Sequence, residues 1–187
     1  AKSGGLAAMK KAKSNSADKP QAVILTGAQG DETHEARLRG YRSAVEQAGG
    51  TVLEVQYCDA QPDRAAAAME AVMQKYPQGV DALLVTSDDM ALAAIKCIWD
   101  NNSAAYQKTV ICGFDGNQAA VEALDRGELT VDIAQQGYEI GYKAVEAALD
   151  ALEGKSVESV IDSGSEVITA DNIDAYIADC REKGLWS

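Results

Sequence analysis

Asp115 stands between glycines in ICGFDGN (111–117), at the end of a short apolar run. A carboxylate so placed could be a catalytic base, a metal ligand, a phosphate acceptor, an acceptor for ligand hydroxyls, or only a turn residue. Other polar residues follow apolar runs in the same way: Asp31, Thr33 and Arg37, then Ser87, Asp88 and Asp89, then Asn117, and last Gln135. A carboxylate only accepts hydrogen bonds, a guanidinium donates in a rigid fork, and an amide does both.

Enzymatic chemistry finds little support in these residues. A phosphoryl-accepting receiver needs an acidic pair after its first strand and a lysine after its last. Here Asp88-Asp89 follow the third apolar run, and no lysine follows the fifth. GAQG (27–30) is too short for a dinucleotide or P-loop fingerprint. His34 is the single histidine, and there is no GxSxG elbow. It reads as a solvated residue of a loop or first helical turn. Asp88 and Asp89 read as first-turn acids that complement a helix dipole. With no nucleophile–base pair, no enzyme is expected. Cys58, Cys97, Cys112 and Cys180 lack CxxC spacing, so no metal site and no cofactor are expected. They read as buried free thiols, with one long-range disulfide left open.

Composition narrows the partners. The 187 residues are enough for one good domain or a domain and part of another. A net charge of −12 opposes binding to nucleic acid or anionic lipid, which requires cations to neutralise phosphates. No apolar run approaches a membrane span.

The elements that must position these residues alternate along the chain. Apolar runs at 21–27, 51–57, 80–86, 109–114 and 129–134 read as strands. Between them, 33–49, 62–76, 88–101 and 117–126 read as helices, with Pro62 suited to a first turn and Gly127 to a C-terminal stop. This alternation predicts an α/β fold with a parallel, doubly wound sheet, whose ligands bind beyond the carboxyl ends of the strands. Residues 1–13 read as a helix and 14–20 as a polar linker. Residues 137–152 form an amphipathic helix with Tyr138, Tyr142, Val145, Leu149 and Leu152 in one stripe. Residues 156–168 read as extended, and 170–183 as a last helix.

Four separated motifs stand in register: THEARLRG (33–40), SDDMAL (87–92), CGFDGN (112–117) and DIAQ (132–135). Together they resemble the type I periplasmic sugar-binding proteins, the ribose-binding-protein-like group that serves ABC importers. The resemblance runs from about residue 4 to the end. It implies a two-lobed, hinged fold of which this chain is the C-terminal lobe. Residues 1–136 would form that lobe. Residues 137–155 would pack on an N-terminal lobe or a partner copy, and 156–187 would be a return segment and C-terminal helix. It also implies a sugar or polyol ligand, an ABC permease as partner, and a periplasmic location or an extracellular lipoprotein. A homodimer through 137–152 is a further expectation.

By motif position, Arg37, Asp115 and Gln135 match the family's ligand residues, with Ser87 and Thr33 beside them. Two positions depart from the pattern. Pro62 stands where the family places a stacking aromatic, and Ser87 stands where it places an asparagine. The competing resemblance is to the effector domain of LacI-type repressors, which shares this fold.

Overall fold

The computed structural model describes residues 1–15 and 18–186. The linker read over 14–20 therefore lies partly outside the described residues. In chain order the elements are α1 (Lys2–Asn15), β1 (Gln21–Thr26), α2 (Glu32–Gln47), β2 (Thr51–Tyr57), α3 (Pro62–Lys75), β3 (Ala82–Val85) and α4 (Asp88–Asp100). After a 3-10 turn at Tyr106–Lys108 come β4 (Val110–Cys112), α5 (Gln118–Asp125), β5 (Asp132–Gln135), α6 (Gly137–Leu152), β6 (Ser165–Ile168) and α7 (Ile173–Glu182).

The strands are apolar on both faces because helices cover both. Alternate residues of a strand point to opposite sides. Accordingly, Val23, Leu25, Leu83, Val85 and Ile111 enter one core with the buried faces of α3, α4 and α5. Their neighbours Ala22, Ile24, Ala82, Leu84, Val110 and Cys112 enter a second core with α1 and α2. The strand order is β2-β1-β3-β4, all parallel. The chain leaves β1 toward one edge for β2, then crosses to the other side for β3. The reversal between β1 and β3 opens a crevice at their carboxyl ends, where such sheets take ligands.

The fifth strand differs from its expected form. It is shorter and later than the run 129–134. Parallel bridges join it and the residue before it to the sheet, Asp115 with Ala134 and Cys112 with Val131. Its regular partner is β6, which it meets antiparallel from Asp132 opposite Ile168 to Gln135 opposite Ser165. Of the extended stretch 156–168, only Ser165–Ile168 is strand.

The C-terminal elements part ways. Ile168, Ile173, Tyr176 and Cys180 return to the first core. Helix α6 has no buried residue.

Candidate functional site

The site forms where α2, the loop after β4, and β5 meet over the β1–β3 crevice. Asp31 caps α2 by accepting the backbone N–H of His34 at 3.0 Å. The helix then buries Leu38, Tyr41, Ala44 and Val45. That face fixes its rotation and lays Arg37 across the strand ends. Arg37 Nη1 donates to the carbonyl of Thr86 at 2.8 Å and to Asp115 Oδ1 at 3.2 Å. Its guanidinium carbon stands 3.9 Å above the Phe114 ring centre, so the flat cation is stacked as well as hydrogen-bonded.

Asp115 is held by its backbone in an unusual shape. Its φ is +140°, a region L-residues rarely adopt. Contacts from several segments maintain that loop. The Asp115 N–H donates to the carbonyl of Ile133 at 2.9 Å, and the Gln135 N–H donates to the carbonyl of Asp115 at 3.0 Å. Asp88 accepts at both oxygens: Oδ1 from the Phe114 N–H at 2.9 Å and Oδ2 from the Asn117 N–H at 2.8 Å. From the other core, the Tyr41 hydroxyl lies 3.1 Å from the carbonyls of both Val85 and Gly113.

The structure therefore brings Arg37, Asp115 and Gln135 together. Gln135 Nε2 donates to Asp115 Oδ1 at 2.6 Å, the same oxygen that Arg37 reaches. The Asp115 side chain stays 23% exposed and that of Arg37 12%, so the cluster is open to a ligand from one side. Burial raises the Asp115 carboxyl pKa, while Arg37 and the Gln135 amide oppose the rise. Ser87 is half-buried and adjoins Thr86 at the start of α4. Thr33 is exposed in the first turn of α2. Pro62 is exposed at the first position of α3.

Two readings of single residues change. His34 is not simply solvated. Its Nδ1 is 2.8 Å from the Thr86 hydroxyl, which in turn meets the Thr26 hydroxyl at 3.3 Å. The ring lies on Gly27, where an added Cβ would come within 2.3 Å of it. Burial first, then the Arg37 charge, lowers the His34 pKa, which favours the neutral imidazole.

Asp88 does more than complement a helix dipole. It is fully buried and clamps the Asp115 loop, whereas Asp89 is exposed. A signal for this lay in the spacing. Asp88, Ala91, Ile95 and Ile98 repeat at helical intervals on the buried face of α4, and Asp89 falls off it. Asp132, at the head of β5, is fully buried beside Asp88 and was also missed.

The four cysteines are free and buried, so the disulfide left open is not formed. Among the described residues, no group of three or more His, Cys, Asp or Glu is placed to hold a metal ion.

Known proteins of the same architecture give this geometry its context. The chain is 30% identical over 152 residues to the ribose import binding protein RbsB of Haemophilus influenzae, covering 81% of this chain and 50% of that protein. It is 34% identical over 137 residues to the Bacillus subtilis protein of the same name, covering 73% and 43%. The chain thus spans about half the length of the curated relatives it matches. The crystal structure of a periplasmic ribose ABC transporter protein from Conexibacter woesei superposes with a TM-score of 0.82 at 26% identity, over 94% of this chain and 58% of that one. None of these likenesses favours the repressor reading. The sequence profile of the periplasmic binding protein domain matches residues 1–156, and the chain belongs to that family.

Proposed function

We propose that the chain carries one lobe's share of a sugar- or polyol-binding site, in a receptor that delivers its solute to an ABC-type permease. The observation that carries this reading is the convergence of Arg37 and Gln135 on one oxygen of Asp115, at the sheet's switch point. Such a cluster suits vicinal hydroxyls. Asp115 accepts from them, Arg37 donates to ring or hydroxyl oxygens, and Gln135 does either. Ser87 and Thr33 would contribute hydroxyls at its edge. No step of bond-making is involved. The working event is ligand-stabilised closure of a second lobe, with the closed form recognised by the permease. The receptor would act in the periplasm or, as a lipoprotein, on the outer face of a cell.

The site on this chain is half of a grip. Three charge-assisted hydrogen bonds at about 1.5–3 kcal/mol each sum to at most about 9 kcal/mol. Association opposes them by about 4–15 kcal/mol. Binding by this chain alone is therefore expected to be weak, about 0.2 mM at best, or not measurable. Backbone amide NMR with a panel of pentoses, hexoses and inositols tests the reading. Shifts should gather at Arg37, Asp115 and Gln135 and favour some members of the panel over others. Shifts that gather elsewhere would refute it. Tight binding would refute the half-site argument alone.

Residues 137–155 extend this proposal. Tyr142 is 53% exposed, Val145 61%, Leu149 55% and Leu152 84%. A face of that kind is normally covered. We assign its cover to a second lobe of the kind the family uses, or to a second copy of this chain.

A further inference from the structure

Two buried carboxyl groups lie under the loop that carries Asp115. Asp88 comes from the first turn of α4 and Asp132 from the start of β5, and both are fully buried. They converge on Gly113. A Cβ built there would stand 2.6 Å from Asp88 Oδ1 and 3.2 Å from Asp132 Oδ1. The two groups are thus close to one point, in a space that exists because residue 113 has no side chain.

Their hydrogen bonds are unequal. Both Asp88 oxygens accept from loop amides, those of Phe114 and Asn117. Asp132 Oδ1 accepts from the N–H of Ile133 at 2.7 Å. Asp132 Oδ2 is buried with no hydrogen-bond partner. A buried, ionised oxygen without a donor is costly. The titratable groups that couple to the pair bring it no positive charge. They are Tyr41 from α2, Cys112 from β4, Asp115 from the loop and Tyr176 from α7, all acidic or neutral. Arg37, the cation of the site, is directed at Asp115 and Thr86 instead, and the Ala1 ammonium is felt at Cys112. Two ionised carboxylates side by side in such a place repel each other, and a shared proton removes both problems. Protonated at Oδ2, Asp132 becomes a donor, and Asp88, with lone pairs left on both oxygens, is its acceptor.

We propose that Asp132 is a positioning residue: it holds a proton that it donates to Asp88, and this bond fixes Asp88 as the double acceptor that shapes the Gly113–Asn117 loop and aims Asp115. Burial raises the titration of both carboxyls, and the neighbouring Asp88 charge raises Asp132 further. The sign follows from proton counts. The folded chain keeps a proton that the unfolded chain releases near the ordinary aspartate value of about 4. Stability is fully present below that value and falls as pH rises through the pair's raised value. The role of Asp115 toward sugar rests on the reading above. The proton and its hold on the loop do not, and both are measured without ligand.

The test is a carbon-13 titration of the aspartate carboxyls in the unaltered chain, followed together with the backbone amides of Phe114 and Asn117. Asp132 is expected to titrate above the ordinary range, with both amides shifting at the same midpoint. Thermal unfolding should lose about 3 °C per pH unit across that window. Asp132→Asn supplies a permanent donor, so its amide signals and melting temperature should stay flat there. An Asp132 carboxyl that titrates near the ordinary value, or loop amides that do not move with it, would overturn the proposal. So would Asp132→Asn keeping the parent's pH profile. If that variant fails to fold, the titration of the parent chain decides alone. Absence of sugar binding would leave this result untouched, and a failed titration would leave the sugar site untouched.

Discussion

The loop from Gly113 to Asn117 and the helix Gly137–Leu152 are both amply signalled by sequence, yet they end in opposite situations. The loop is short, glycine-rich and strained at Asp115, and its backbone is fixed from three sides. The helix is long and regular and has no buried residue, and its most visible internal contact is the stack of Tyr138 on Tyr142 at 6.3 Å. Local pattern was enough to make the helix, because an i, i+3, i+4 stripe and good helix formers specify it. It was not enough to place it. The loop shows the converse: nothing local favours φ +140° at an aspartate, and tertiary partners impose it.

Breaking the clamp should have the largest effect. Asp88→Ala strands the buried amide of Phe114, at about 1–3 kcal/mol, takes the acceptor from the amide of the exposed Asn117, and leaves a cavity beside Asp132. Urea unfolding should show a loss of about 2–5 kcal/mol, and a loss near zero would mean the loop needs no clamp. Arg37→Ala should come next. It removes charge-assisted bonds to Asp115 and the Thr86 carbonyl, at about 1.5–3 kcal/mol. Burial then acts on Asp115 without its opposing cation, so the Asp115 carboxyl should titrate higher still by NMR. An unchanged titration would deny the ion pair. Smallest of all should be Leu149→Ser or Tyr142→Ser in the exposed stripe, within about 0.5 kcal/mol of the parent. Light scattering of the same variants sharpens the contrast. If the parent self-associates through this face, they should shift toward monomer. A stability loss like that of Asp88→Ala would show the helix buried in solution and end the comparison.

Much of the fold was legible because its signals are periodic. Apolar runs with β-branched residues gave β1 to β4, and Pro62 and Gly127 marked helix ends where the structure has them. The grouping of Arg37, Asp115 and Gln135 was also legible, from motifs in register rather than from any one residue. Ser87 is half-buried at the start of α4 and Thr33 is exposed in the first turn of α2. The pairing of β5 was not legible. Its residues are apolar enough for a sheet interior, and only the arrival of β6 from thirty residues later decides its antiparallel partner.

Asp88 and Asp89 show the limit most plainly. They are identical in type and adjacent, and a first-turn acid suits a helix dipole at either position. One is buried under the site loop and the other is in water, because the rotation of α4 is set by what its apolar face packs against. The same holds for His34, whose setting depends on Thr86 and Gly27 coming to it from two strands. By itself, then, the sequence determined the elements, their alternation and the identity of the polar residues at the strand ends, since each follows from periodicity and local conformational preference. Spacing along α4 already marks the face on which Asp88 lies, but the tertiary structure alone decided that Asp88 is buried as a pair with Asp132 under the site loop. Desolvation and hydrogen-bond partners come from segments far apart in the chain, and no local pattern encodes those.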